Sequence, residues 1–379
     1  MNAPRILRVS TVLALAALPL AVGARLLAQQ QIGPPASDLL VGGRSLEQPQ
    51  LSAYPLDVPA DLGAEILPVG GSVFMIARQS GNVAVQVGHD GVFLVDSGPE
   101  NQAEKTLQAI RIITKGTISY ILNTTPDRDW YGGNEKLAGA GFNPTINPNG
   151  LGGPVVRLPG APEPDGGGGF GGVQRSETAI IFAHENLLNR MSAPTGVAAA
   201  EKTAFWPTNT FFTVRKSLWF NDEAVELLHE PSAHTDADVM AFFRRSDVIA
   251  AGPIIDTFAY PVPDAKRGGS IAGILKGLND IVDIAVPTYN QQGGTKIVPG
   301  RGRVLNEADV VEYRDMMTII RNRIKDYVDK GMTLPQVQAI GPTKEYDVLY
   351  STPKLTGQQL IEAIYNDLKG TAAPRPASR

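Results

Sequence analysis

Two runs of short β-branched segments, each followed by helical periodicity, constrain this chain more than any other feature. In the first, Ser72–Arg78, Asn82–Gly88 and Gly91–Val95 are separated by Gly-bearing turns, a pattern that predicts adjacent antiparallel strands. Pro99 then marks a start, and Leu107, Ile110 and Ile113 fall at helical spacing over Glu100–Lys115. Ile118–Leu122 reads as a buried strand and Asn134–Ala140 as a short helix. The second run predicts strands at Thr178–Phe182, Asn209–Val214, Glu223–Leu228, Asp238–Arg244 and Val248–Ala251, with a helix at Glu185–Met191. Helix Ser270–Val282, strand Lys296–Val298, helix Asn306–Lys330 and a last helix Thr356–Leu368 follow. Sheets and helices that must each bury an apolar face stack in layers. The expectation is an α/β (α+β) chain folded as an αββα four-layer sandwich. With 379 residues, 43% of them hydrophobic, the chain is long enough to fill such a core.

The ends of the chain read differently. Arg5 and Arg8 precede an apolar stretch from Val9 to Ala24, with small residues at Ala24 and Ala28 ahead of Gln29-Gln30-Gln31. This is the pattern of a secretory signal peptide over 1–28, shorter than the roughly 20 apolar residues of a comfortable membrane span. Cleavage after Ala24 or Ala28, or retention as an anchor, are all open. The chain has no cysteine, so it carries neither a lipoprotein anchor nor disulfides and offers no thiolate to a metal. Export to the periplasm or outside the cell is the expectation, with no stable membrane span after cleavage. Residues 29–63 are rich in Pro, Ser and Gly and read as an extended arm. The main domain is expected over 64–330, with a Gly-rich insertion at 150–172, a helical extension at 331–369 and a disordered tail at 370–379. Net charge is −4 and basic residues are scattered, which argues against a nucleic-acid partner. The pairs Arg244-Arg245 and Lys266-Arg267 read as solvated loop charges.

The segment leaving the Ile118–Leu122 strand runs Asn123-Thr124-Thr125-Pro126-Asp127-Arg128-Asp129-Trp130-Tyr131-Gly132-Gly133-Asn134. It resembles the signature loop of the metallo-β-lactamase superfamily, N-T-H-x-H-x-D-H-x-G-G-N. Further segments match that family in the right order. Val95-Asp96-Ser97-Gly98-Pro99 resembles V-D-T/S-G-P, and Ile181 to Asn186 with Arg190-Met191 resembles I-I-A-H-E-N…R-M. Ala233-His234-Thr235-Asp236-Ala237-Asp238 resembles A-H-T-D-G-D, Ala251-Gly252-Pro253-Ile254 stands at A-G-D-[VI], and Lys296 to Gly302 resembles K-I-V-P-G-H-G. The resemblance implies the αββα fold and places the family's metal-ligand positions at Thr125, Asp127, Asp129, Trp130, His234, Pro253 and Arg301.

Only Asp129 and His234 keep the residue that the family uses. Zinc takes imidazole, carboxylate or thiolate from three or four protein groups. Trp130 and Pro253 donate no lone pair, and Arg301 is a fixed cation. The second half-site is therefore expected to be lost, and the first keeps only Asp127 and His234 as weak candidate donors. Without a metal to lower its pKa toward 7, water is a poor nucleophile. Arg301 is expected to reach Asp129 as a replacement counter-charge, in a bidentate pair, and Asp127 is expected to pair with His234. The bland alternative leaves Arg301 in solvent.

Other candidates are weaker. His89 and Asp90 read as turn residues, His184 as the opening of a helix, His229-Glu230 as the end of a strand near the pocket rim. No G-x-S-x-G elbow surrounds Ser97 or any other serine, and Ser232 near His234 is not placed in contact by spacing alone. The expected protein is exported and non-catalytic, with no catalytic residue and no cofactor. It would bind an unknown small molecule in the old pocket or pair with a metal-competent relative. The alternative is a hydrolase of the same fold, acting on an ester, lactam or related substrate through a residual mono-metal or metal-independent site.

Overall fold

The computed structural model describes residues 56–142, 178–193, 197–261, 263–289 and 293–370. The expected signal peptide, most of the expected arm, the Gly-rich insertion and all of the expected tail but Gly370 lie outside the described residues. Elements follow in the order β1 (Glu65–Gly70), β2 (Val73–Ala77), β3 (Val83–Gly88), β4 (Gly91–Val95), α1 (Ala103–Ile113), β5 (Ile118–Leu122), α2 (Arg128–Tyr131), α3 (Asn134–Gly139), β6 (Ile180–His184) and α4 (Glu185–Met191). Then come β7 (Asn209–Phe211), β8 (Arg215–Phe220), β9 (Glu223–Glu230), β10 (Asp238–Phe243), β11 (Val248–Asp256), α5 (Ile271–Ile284), β12 (Lys296–Arg301), α6 (Glu307–Asp329), α7 (Leu334–Ile340), α8 (Asp347–Tyr350) and α9 (Gly357–Leu368).

The strands form two sheets. One runs β1-β2-β3-β4-β5-β6-β7, the other β12-β11-β10-β9-β8. Pairing is antiparallel from β1 to β4 and parallel from β4 to β7, while β11 and β12 are the parallel pair of the second sheet. Alternation on each strand sorts its side chains between two cores. On β4, Phe93 and Val95 face the second sheet, where they meet Val225, Leu227, Val239, Ala241, Phe243 and Val298. Val92 and Leu94 face the other way, onto Ala109, Ile110 and Ile113 of α1 and Leu137 of α3. Burial on both faces explains why β4 is apolar throughout. The outer face of the second sheet (Leu228, Met240, Ile249, Ala251) is covered by Ile274, Leu278 and Ile281 of α5, Met317 and Ile320 of α6, and Leu360 and Ile364 of α9. The layers are helix, sheet, sheet, helix, as expected.

Several elements depart from the sequence reading. β1 falls just inside the expected main domain and has no counterpart among the expected strands, since Pro68 sits within it; the strand lies at the sheet edge, where a missing N–H is tolerated. The expected strand 209–214 stops at Phe211, and Arg215–Phe220 forms a separate strand in the other sheet. The expected helix from Glu100 begins as a 3-10 turn over Glu100–Gln102, and α7 carries its proline in the first turn, where no N–H is needed. Among the described residues no helix is long and apolar enough to cross a membrane.

Candidate functional site: an ion-pair cluster at the strand ends

The loop after β5 is held by a buried polar frame. Asp96 closes β4 with φ 65°, a left-handed conformation that Asp adopts more readily than most residues. Its carboxylate accepts from the Thr124 backbone N–H at 2.9 Å and from the Thr124 hydroxyl at 2.7 Å. Asn123 and Asn134 exchange amide hydrogen bonds at 3.0 and 2.8 Å, and the Ser97 hydroxyl donates to Asn134 Oδ1 at 2.9 Å. Gly252 on β11 has φ 56°, and a Cβ there would fall 2.7 Å from the Thr124 hydroxyl. The frame therefore presses β11 against the loop and aims residues 125–130 toward the strand ends.

Thr125 is fully buried and donates to Asp238 at 2.8 Å. Asp238 also accepts from the Thr235 hydroxyl and backbone N–H, each at 2.7 Å. Asp127 stands between His234 and Arg267: Nε2 of His234 donates to Oδ2 at 2.9 Å, and Nη1 of Arg267 lies 2.6 Å from Oδ1. Arg267 reaches further, from Nε to Asp264 at 2.7 Å and from Nη1 to the Pro126 carbonyl at 3.0 Å. It is no solvated loop charge. It ties the loop after β5 to the turn before α5, with its side chain 28% exposed.

The second group centres on Arg301. The β11–β12 register sets Asp256 beside it. Nη2 contacts Asp129 and Nη1 contacts Asp256, both at 3.2 Å, while Nε donates to the Ser80 carbonyl at 3.2 Å. The guanidinium lies 5.1 Å from the Trp130 ring centroid, a favourable cation–π arrangement. Trp130 is itself buried, packed so closely on the β2–β3 turn that a Cβ on Gly81 would meet the ring at 2.7 Å. The expected contact to Asp129 exists, but it is single rather than bidentate. Asp129 is 60% exposed and Asp256 only 13%, so the guanidinium divides its fork between two carboxylates and the more buried one is Asp256. Pro253 is half-buried within β11.

Electrostatics separate these carboxyl groups. Burial pushes Asp96 up to about 7 against the opposing pull of its Thr124 hydrogen bonds, and burial raises Asp238 as well. Burial would also raise Asp127, but the hydrogen bond and charge of His234, together with Arg267, bring it down to about 2. Burial tends to lower Arg267, yet Asp127 and Asp264 more than offset it and its pKa rises.

The remaining candidates are structural. Asp90 contacts His89 at 3.1 Å and accepts from the Asn221 N–H at 2.8 Å, tying one turn to another. His184 caps α4, accepting from the Asn186 N–H at 3.3 Å, and stacks on His229 with centroids 3.5 Å apart. Burial, then the neighbouring His229, lowers His184 to about 4. The Ser232 carbonyl accepts from the Ser270 N–H at 2.8 Å, a role in the chain path before α5. Ser97 is spent on the frame.

The architecture has known counterparts among solved structures. The inverting sec-alkylsulfatase Pisa1 from Pseudomonas sp. superposes with a TM-score of 0.53 at 12% identity, over 83% of this chain and 52% of that one. The chain thus spans about half the length of that sulfatase. The chain has the metallo-β-lactamase fold. A metallo-β-lactamase from Pontibacter korlensis aligns over 67% of this chain and 99% of its own at 11% identity and TM-score 0.45; the DIM-1 metallo-β-lactamase aligns over 67% and 97% at 12% and 0.43. No family model and no curated protein matches the chain. At these identities the likeness is one of fold, and fold alone does not carry an activity.

The metallo-β-lactamase fold implies a pair of metal ions, and the residues present do not fit them. Among the described residues no group of three or more His, Cys, Asp or Glu side chains is placed to hold an ion. The Nε2 of His234 and both oxygens of Asp127 are engaged, and Arg301 brings a positive charge to a ligand position. No hydrolytic step through a metal follows from such a donor set.

Proposed function

We propose that this chain is an exported, non-catalytic protein of the metallo-β-lactamase fold that serves as a structural or regulatory partner. The observation that carries the reading is the engagement of Asp127, which lies against both His234 and Arg267. A general base must present a free lone pair to water or substrate, and the imidazole nitrogen facing this carboxylate does not. Nor do the groups form a receptor for an anion. Asp127, Asp264, Asp129 and Asp256 surround Arg267, Arg301 and His234, so carboxylates outnumber cations. Surface cavities of about 540 Å³ lie elsewhere, one lined by Glu100, Gly132 and Lys136 and one by Ile271, Lys276 and Arg321. The excess of carboxylates over cations favours a partner over an anionic small molecule in the old pocket. The mono-metal hydrolase reading requires Arg267 to leave Asp127.

Export rests on the charged, apolar and small-residue pattern of residues 1–28. Sequencing the N-terminus of protein recovered from cell fractions tests it: a start after Ala24 or Ala28 in the exported fraction is expected. For the site, purified protein is assayed for bound metal and for turnover of chromogenic ester, lactam and sulfate substrates. The expected result is no stoichiometric metal after dialysis against a mild chelator and no turnover above a heat-treated control. Stoichiometric zinc, or turnover lost on mutating His234, overturns the reading.

A further inference from the structure

We infer that Arg267 and Arg301 are built-in cations, each holding together loops that the metallo-β-lactamase fold otherwise gathers around a metal ion. The inference rests on the non-catalytic reading above and adds what replaces the metals. Each guanidinium contacts a carboxylate at a ligand position: Arg267 at Asp127 and Arg301 at Asp129. Each also joins segments far apart in sequence. Arg267 links Pro126 and Asp127 in the loop after β5 to Asp264 in the turn before α5. Arg301, on β12, links Ser80 in the β2–β3 turn, Asp129 on α2 and Asp256 at the end of β11. A single ion at a metal site connects loops in this way because several ligands converge on it. A guanidinium can do likewise because its donors form a planar fork with fixed directions.

An ordinary surface salt bridge would look different. It would join two exposed side chains and be worth little. Here the side chains of both arginines are less than a third exposed, as are those of Asp127, His234, Asp264 and Asp256. Only Asp129 is open to solvent. Removing a divalent ion from a protein is easy; removing these cations takes a mutation. The fold of the site is accordingly independent of metal supply.

The test is chemical rescue on the full mature chain, read by thermal unfolding. Arg267→Ala is expected to lower Tm by several degrees, and millimolar ethylguanidinium to restore part of that loss while leaving wild type unmoved. Arg301→Ala should behave likewise with a smaller loss. Ethylammonium, which has charge but no fork, should restore less. Zinc ions added to Arg267→Ala provide a second cation, and a Tm rise absent in the Arg267→Ala, Asp264→Asn background supports the same conclusion. If Arg267→Ala does not fold, Arg267→Lys and Arg267→Gln are compared, and Lys should keep more of the wild-type Tm. Wild-type stability in the Ala variants, equal responses of wild type and Arg267→Ala to ethylguanidinium, or Gln matching Lys overturns the inference. A fall in wild-type Tm on adding chelator does so too. Metal-dependent turnover by wild type would instead sink the non-catalytic reading, so the two failures are distinguishable.

Discussion

Asp96 and Asp127 stand at opposite ends of one short stretch of site, and their carboxyl groups are driven in opposite directions. Both are buried to a degree that disfavours charge. Asp96 meets only a backbone N–H and a hydroxyl from Thr124, with the charge of Asp238 nearby, and is pushed up to about 7. Asp127 meets His234 and Arg267 and is pulled down to about 2. Burial is common to the two; the cations are not. In the polar frame burial makes a charged carboxylate costly despite its hydrogen bonds to Thr124, while at the centre the neighbouring Arg267 and His234 make charge the favoured state.

The two groups should leave opposite marks on the pH dependence of stability. The folded pKa of Asp96 lies above its unfolded value, so the folded state keeps a proton that the unfolded chain releases, and stability falls as pH rises from about 4 to about 7. The nominal size is on the order of 4 kcal/mol, the largest effect expected here. Asp96→Asn removes that titration and tolerates the left-handed backbone. Urea midpoints taken from pH 4 to 8 should be flatter in Asp96→Asn than in wild type, and parallel curves would remove Asp96 from the account.

Asp127 has the reverse sign. Its folded pKa is depressed, so its contribution is fully present above about pH 4 and is lost as pH falls through about 2. Asp127→Asn should cost about 2 kcal/mol at pH 7 and only about 0.4 kcal/mol at pH 2, where half of the folded wild type has lost the same charge. A deficit that persists undiminished into acid would mean the cost is one of packing. Between these extremes lies Arg301. A double-mutant cycle of Arg301→Ala with Asp256→Asn should give a coupling of about 1 kcal/mol, larger than the cycle with Asp129→Asn, because Asp256 is the more buried partner.

What could be read from sequence divides along the same line. The four layers were legible because the β-branched and aromatic runs of β2 to β4, set off by Gly-bearing turns, and the helical spacing on α1 are local patterns. The Arg301–Asp129 contact was legible because resemblance puts both at one half-site. Arg267 was not: it follows Lys266 in a non-periodic turn, and its partner Asp127 is remote in sequence. Only the path of the chain after β11 brings them together. Asp256 was missed for a related reason, since the expected strand ended at Ala251 while the real one runs on to Asp256, whose register sets it against Arg301. β8 was missed because its outward residues Arg215, Ser217 and Trp219 are exposed, which breaks the apolar signal of an edge strand.

The smallest expected effect is the sharpest check on this division. Asp129 keeps the family's residue at its position, and resemblance alone would rank it the most important carboxylate of the site. Its side chain is 60% exposed and its one contact to Arg301 is 3.2 Å long, the geometry of a solvent-screened pair. Water solvates Asp129 whether or not Arg301 is near, and Arg301 keeps Asp256 if Asp129 is neutralised. Asp129→Asn should therefore change stability by no more than about 0.5 kcal/mol, at most about a quarter of the loss in Asp127→Asn, and raising salt should shrink even that. Chemical denaturation of both variants side by side decides the matter. Should Asp129→Asn prove the more damaging, the weight of the cluster lies on the second half-site, and the ordering argued from burial is inverted.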